Sequence, residues 1–112
     1  MDIFCKIIKK EVPADFIAEG SSWIAIHDLH PKAPIHALLI PKTHISSIDS
    51  LEQSHAKLLG ELFLAVKTVA DKLKLENGYR VIINQGEHGG QVVDHLHLHV
   101  LGGKNLGSKI VN

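Results

Sequence analysis

The chain has 112 residues, and its 12 basic and 12 acidic side chains give a formal net charge of zero at pH 7. This balance provides no electrostatic basis for binding nucleic acid or an anionic membrane. The length fits a single domain over residues 1–112, and a hydrophobic content of 45% leaves apolar surface for a partner subunit once a core has formed.

The N-terminal segment, residues 2–10, is predicted to be a short amphipathic helix that ends before Pro13. Its apolar side consists of Ile3, Phe4, Ile7 and Ile8. Lysines interrupt the segment, so we expect no signal peptide, no membrane span and a cytoplasmic location. Cys5 is the only cysteine, which excludes an internal disulfide and a four-thiolate zinc site.

Two strands are predicted next along the chain. Residues 23–28 alternate in polarity, which places Ile26 and Asp28 on the same face of a strand. Residues 36–40 form an almost unbroken apolar run closed by Pro41, and such a run is typical of a strand buried on both faces.

The longest predicted helix spans residues 50–76. Ser50 and Gln53 have the spacing of a capping box at its start, and Asn77-Gly78 has the composition of a helix end. Apolar residues recur along it at helical spacing: Leu58, Leu59, Leu62, Phe63, Val66, Val69, Ala70 and Leu73. One side of this helix is therefore predicted to pack on a sheet.

The remainder of the chain is predicted to form an antiparallel pair of strands. Residues 79–84 make the first strand, residues 85–91 a glycine-rich loop, and the histidine-containing segment the second strand. The elements together predict an α+β domain: an antiparallel sheet of about five strands, one major helix and a short N-terminal helix.

The second of these strands carries histidines at alternate positions, His95, His97 and His99, separated by leucines. Because successive side chains of a strand point to opposite faces, the three imidazoles are predicted to share one face. Metal binding is one interpretation of this row. Neighbouring members lie about 6.6 Å apart along a strand, but His95 and His99 lie about 13 Å apart, too far to share one ion. We expect no metal and no other cofactor.

Covalent catalysis by the middle histidine is the interpretation we favour over metal binding or a purely structural row. A neutral imidazole is a good nucleophile toward phosphorus near pH 7. His97 then needs one free nitrogen and an acceptor, such as a backbone carbonyl, for its other N–H. His99 is placed to touch a phosphate oxygen or the leaving group, and His95 braces the row. The preceding loop, with Gly86, Gly89 and Gly90, is either a plain turn or a cradle for phosphate.

Residues 84–103 resemble the signature of the histidine-triad (HIT) nucleotide hydrolases. The matching positions are Asn84, Gly89, Gln91 and Val93, followed by the run from His95 to Gly102. The resemblance to the HINT-type branch continues over the rest of the chain, through Ile3-Phe4-Cys5-Lys6-Ile7-Ile8, His27-Asp28, Pro31, Ala33-Pro34, His36 and Pro41-Lys42-Thr43-His44-Ile45-Ser46.

This resemblance implies a HIT-like fold and a homodimer whose two sheets join into one ten-stranded sheet. It implies hydrolysis of purine nucleoside phosphoramidates, of which adenosine 5′-monophosphoramidate is the model, with aminoacyl-adenylates as further substrates and AMP or GMP as nucleotide ligand. His97 would be the nucleophile and form a nucleotidyl-histidine. His99 would contact the phosphate, His95 would orient His97 through its carbonyl, and His36 would support the hydrogen-bond network.

The resemblance also implies a nucleotide pocket. Asp28 would bind the ribose hydroxyls, and Asn84, Gly90 and Gln91 would lie near the ribose and phosphate. The base pocket would be walled by Ile3, Phe4, Ile26 and Leu29, for which ordinary core packing is the alternative. Two further activities stay open: a dinucleoside polyphosphate hydrolase of the same superfamily, and a nucleotide-binding regulatory or scaffold protein with vestigial hydrolysis. Val92 and Asp94 depart from the pattern of many relatives, which leaves the leaving-group preference open. The role of the tail from Lys104 to Asn112 in specificity also stays open.

Overall fold

The computed structural model describes residues 1–111; the end of the tail, Asn112, lies outside the described residues. Two short 3-10 turns, Ile48–Ser50 and Gln53–His55, precede the longer helix. The helices are α1 (Ile3–Ile8) and α2 (Ala56–Lys72), and the strands are β1 (Phe16–Glu19), β2 (Trp23–His27), β3 (Ile35–Pro41), β4 (Arg80–Ile82) and β5 (Leu98–Gly102).

The five strands form one sheet in the order β1-β2-β3-β5-β4, and every neighbouring pair is antiparallel. This confirms the predicted α+β architecture. The central strand β3 is buried from His36 to Pro41, in agreement with its continuous apolar sequence. Within residues 1–111, no helix is long and apolar enough to cross a membrane.

The two faces of the sheet are covered by different helices. Ala37, Leu39, Leu98 and Val100 pack in one core cluster with the buried residues of α2, which include Leu62. The opposite face forms a second cluster in which β2 and β3 pack against α1 through Phe4, Ile7, Ile24, Ile26, Leu38 and Ile40. Strand alternation therefore divides the apolar residues between two cores.

The ends of α2 differ from the prediction. The capping box is formed by Glu52 and His55, not by Ser50 and Gln53, and the regular α-helix begins only at Ala56. At the other end, Lys74 adopts a left-handed backbone with φ of 59°. The N–H of Leu75 donates to the carbonyl of Ala70 at 3.0 Å, which closes a Schellman-type cap before the predicted Asn77-Gly78 stop.

Two other expectations need correction. Phe63 was expected on the buried side of the helix, but it is 56% exposed. Strand β5 begins at Leu98, so His95 and His97 precede the hydrogen-bonded ladder instead of lying within it. The alternation nevertheless continues through this segment, because Leu96 is buried in the α2-side core together with Leu98.

Candidate active site

The histidine row lies on the α1 side of the sheet, opposite the leucines that alternate with it. The ring of Phe4, from α1, meets the ring of His97 edge to face at 5.0 Å between centroids and that of His95 at 5.9 Å. The His97 and His99 rings are also 5.0 Å apart. His95 and His97 are buried and His99 is half-buried, so the row is packed against protein and partly removed from water.

The tautomer of His97 follows from its backbone partner. Its Nδ1 lies 2.7 Å from the carbonyl oxygen of His95, an acceptor that holds the proton on Nδ1. The other nitrogen, Nε2, then carries a lone pair. Burial lowers the pKa of His97 below its ordinary value, which keeps the ring neutral. A free ring nitrogen and a backbone acceptor for the other N–H are the two features that we expected of His97 as a nucleophile.

A chain of hydrogen bonds determines the proton positions on His36 and His99. The backbone N–H of Lys32 donates to Nδ1 of His36 at 3.0 Å, so neutral His36 has its proton on Nε2. Nε2–H of His36 donates in turn to Nδ1 of His99 at 2.9 Å. Neutral His99 therefore carries its proton on Nε2, and this N–H can donate to an oxygen atom of an anion.

The same two histidines are held neutral by their surroundings. Burial, followed by the charges of His97 and His36, lowers the pKa of His99 to about 4. Burial also lowers the pKa of His36, against an opposing effect of Asp28. The charge of Lys32 also lowers the pKa of His36. Lys32 was not singled out from the sequence, because its hydrogen bond to His36 comes from a backbone N–H and has no side-chain signature.

Asp28 lies directly beside this pair. Its backbone N–H donates to the carbonyl of His36 at 2.9 Å, and its Oδ2 lies 3.5 Å from Nε2 of His36. The other oxygen, Oδ1, accepts from the N–H of His30 at 2.8 Å. The fold thus brings Asp28 to the histidine row, whereas its contact with a ribose remains a prediction.

The four residues expected to wall a base pocket fall into two pairs. Phe4 and Ile26 are buried in the α1-side core. Ile3 and Leu29 are 46% and 83% exposed. Core packing therefore accounts for the first pair, and only the second pair presents an apolar surface to solvent.

The glycine-rich loop is braced by two side-chain amides. Asn84 donates from Nδ2 to the carbonyl of Gly89 at 2.7 Å. Gln91 accepts from the N–H of Gly86 at 3.0 Å and donates to the carbonyls of Ser46 and Val93. Both amides are thus committed to backbone groups.

One further glycine of this loop is exposed. Gly90 has a positive φ of 78°, a conformation that favours glycine. Its N–H donates to the carbonyl of Glu87 at 3.1 Å, and its position near a bound phosphate stays a prediction.

Within residues 1–111, two groups of side chains have the composition of metal sites. One is Asp28, His36 and His99, within the row itself. The other is Asp2, Cys5, His44 and His95, and it was missed from the sequence because its members come from three separate regions of the chain. The only available signal was the spacing of Asp2 and Cys5, which places them on one face of a helical turn.

Comparisons with known proteins identify the family and the fold of the chain. A HIT domain family model matches residues 9–106. An uncharacterized HIT-like protein of Synechococcus elongatus is 47% identical over 104 residues, covering 93% of this chain and 91% of the relative. A solved HIT family hydrolase from Clostridium thermocellum superposes with a TM-score of 0.95 at 45% identity, covering 98% of this chain and 96% of that chain. A HIT family hydrolase from Legionella pneumophila superposes with a TM-score of 0.91 at 40% identity, covering 94% and 95% of the two chains.

Proposed function

The chain belongs to the HIT domain family, and we propose that it hydrolyses purine nucleoside phosphoramidates through a covalent nucleotidyl-histidine on His97. One observation carries the proposal. Nδ1–H of His97 is held by a backbone carbonyl at 2.7 Å, which leaves Nε2 unprotonated beside the ring of His99. The similarity to HIT family hydrolases supports the reaction class.

In the first step, Nε2 of His97 attacks phosphorus and the P–N bond of the substrate breaks. The leaving amine takes a proton from solvent, and the nucleotide is now bonded to the ring. The positive charge that develops on this ring is stabilised by the carbonyl of His95. Nε2–H of His99 donates to a phosphoryl oxygen, and His36 keeps that proton on the outward nitrogen.

In the second step, water adds to phosphorus and the bond from phosphorus to Nε2 breaks. The water loses its proton to solvent, and His97 returns to the neutral state. The products are a nucleoside monophosphate, AMP or GMP, and the free amine. Asp28 binds the ribose hydroxyls in this scheme, since its carboxylate lies beside His36 at the same end of the row.

A second copy of the chain is the partner that the fold suits best. Strand β4 is an edge of the sheet, and its Val81 and Ile82 are 36% and 37% exposed. An exposed apolar edge strand is a template for strand pairing. Pairing of two β4 strands would give the ten-stranded sheet, and sedimentation velocity of the wild type against Val81→Lys tests it. A monomeric wild type would contradict the dimer.

The activity is tested with adenosine 5′-monophosphoramidate and a diadenosine polyphosphate as competing substrates. We expect the phosphoramidate to be turned over faster and rapid quenching to trap a nucleotidyl adduct on His97. The matched control is His55→Gln, which changes a histidine of the α2 capping box and leaves the row intact. Preference for the polyphosphate would reassign the substrate, and AMP binding without any adduct would favour a binding protein.

A further inference from the structure

A surface cavity of about 620 Å³ lies where β5 passes into the tail. Its wall comes from three segments of the chain: residues 74–79 after α2, Arg80 at the start of β4, and residues 103–107. We call it the tail cavity. Its volume falls within the range of about 300 to 1,000 Å³ that is usual for small-molecule sites. We propose that the tail cavity binds a nucleoside phosphate, at a site that the proposed hydrolysis does not use.

The wall of the tail cavity carries an excess of positive charge, although the formal net charge of the whole chain is zero at pH 7. Lys74, Arg80 and Lys104 come from three separate segments, and the one carboxylate among the described lining residues is that of Glu76. Within residues 1–111 none of these three cations forms an ion pair, whereas three other lysines of the chain are paired with carboxylates. Unpaired positive charge in a concave site attracts a negatively charged ligand.

Arg80 is the only arginine of the chain, and most of its hydrogen-bond donors are free for a ligand. It is half-buried, and its Nη2 donates to the carbonyl of Gly107. A guanidinium has five N–H donors, so this bond leaves the greater part of the planar group unused. Such a group fits two oxygen atoms of one phosphate, which is why arginine is common in phosphate sites.

The tail wall of the cavity is held in place by the protein itself. The carbonyl of Gly107 accepts from Arg80, and the N–H of Gly107 donates to Oδ1 of Asn105 at 2.8 Å. These two bonds tie the turn of the tail to the first residue of β4. A ligand then meets a wall that is already ordered, which lowers the entropic cost of binding.

Lys74 occupies a backbone position where a lysine is unusual. Its φ of 59° lies in the left-handed region that glycine adopts most easily at the end of a helix. Within residues 1–111 its ammonium group has no hydrogen-bond or ion-pair partner that would offset this cost, and the residue lines the tail cavity. A phosphate in the cavity would supply that partner. Backbone conformations of this kind are concentrated at functional sites.

The same wall offers a surface for a planar ring. Tyr79 is 41% exposed, lines the cavity and directly precedes Arg80. Tyrosine rings stack on nucleic-acid bases whatever the base is, because every base has a π-face. Asn77 and Asn105 add side-chain amides, which can bond the polar edge of a base or a sugar. A nucleoside phosphate uses both the cations and the aromatic ring, whereas inorganic phosphate uses only the cations.

The tail cavity is separate from the proposed catalytic nitrogen. Gly103 follows His99 by four residues, which corresponds to about 13 Å along an extended strand. Among the described residues that line the cavity, none belongs to the histidine row or to the glycine-rich loop. Pairing of β4 in a dimer would engage its backbone, and side chains stand roughly perpendicular to a sheet, so the Arg80 side chain stays available.

A fluorine label tests the site directly. Tyr79 is the only tyrosine, so full-length protein labelled with 3-fluorotyrosine gives a single 19F resonance, and that resonance reports on the tail cavity. We expect AMP to shift it saturably. Inorganic phosphate should bind at least about 5-fold more weakly, because base stacking is lost. Adenosine should bind at least about 10-fold more weakly, because the charge-assisted hydrogen bonds are lost.

Substitutions of the cavity cations should weaken AMP binding in the same titration. We expect a loss of about 10- to 100-fold for Arg80→Gln, since charge-assisted hydrogen bonds disappear. Lys104→Gln, at an exposed position, should cost about 3-fold, and it serves as the second variant should Arg80→Gln fail to fold. The matched control is Lys57→Gln, an exposed lysine in the first turn of α2, which should leave the affinity unchanged.

Asp28→Ala distinguishes the tail cavity from the histidine row. It changes a carboxylate beside the row and should leave the 19F titration as in the wild type. A resonance that AMP does not shift, a titration lost in Asp28→Ala, or an affinity that Arg80→Gln and Lys104→Gln leave unchanged would overturn the proposal. Equal affinities for inorganic phosphate and AMP would also overturn it, since the ligand would then need no base. AMP is not consumed, so the result does not depend on the proposed phosphoramidase activity.

Discussion

The two ends of the histidine row use the same side chain for different purposes. At one end, His97 and His99 each have one nitrogen bound within the protein and the other left for a ligand. At the other end, His95 has both nitrogens in contact with protein atoms and no exposure to solvent. The difference arises because the three rings have different neighbours. The position of a histidine in the repeat therefore does not by itself assign its role.

His97→Ala is expected to have the largest effect on activity. We expect turnover of the phosphoramidate to fall by at least about 10⁴-fold, because no other unprotonated ring nitrogen replaces the nucleophile. AMP affinity and the far-ultraviolet circular dichroism spectrum should stay close to wild type. Single-turnover kinetics measure the loss, and a variant that retains full activity would remove His97 from its proposed role.

Substitution of Asp28 tests whether the end of the row at His97 and His99 binds the ribose. Asp28→Ala should weaken AMP binding by about 10- to 100-fold, as expected from losing charge-assisted hydrogen bonds worth about 1.5 to 3 kcal/mol. The chemical step should change much less. Isothermal titration calorimetry reports the affinity, with Asp15→Ala as a control at a second carboxylate that has no contact with the row. Equal affinities for Asp28→Ala and the wild type would exclude the ribose contact.

The pH dependence of stability that arises from His99 tests the electrostatics of the same end of the row. The ring faces His36, His97 and Asp28, and its pKa in the folded chain is about 4, whereas the unfolded chain titrates near the ordinary value of about 6.5. The unfolded state therefore binds more protons between these values. The free energy of unfolding should fall as the pH is lowered from about 6.5 toward 4 and should not depend on this group above that range.

Urea titrations at several pH values measure this slope in the wild type and in His99→Gln. In His99→Gln the free energy of unfolding should change less steeply with pH. In His55→Gln, which lies away from the row, the slope should equal that of the wild type. Identical slopes for His99→Gln and the wild type would contradict the lowered pKa.

Local patterns were sufficient to predict most of the fold. Alternating polarity located β2 and the faces of the histidine segment, and helical periodicity located α2, because each signal depends on residues a few positions apart. The ends of α2 were predicted less well. The left-handed residue of its C-terminal cap is Lys74, a lysine where glycine is usual, so composition pointed instead to Asn77-Gly78.

Alternation along the strand was enough to predict that His95, His97 and His99 share one face and that the leucines between them enter the core, since strand geometry alternates side chains whatever surrounds them. The partners of each imidazole, by contrast, depend on the folded arrangement of the whole chain. His99 meets His36 on the neighbouring strand, 63 residues earlier in the chain, and His95 meets Asp2, 93 residues earlier. Such contacts leave no periodic trace in a sequence, because they depend on how distant segments are brought together when the two cores pack.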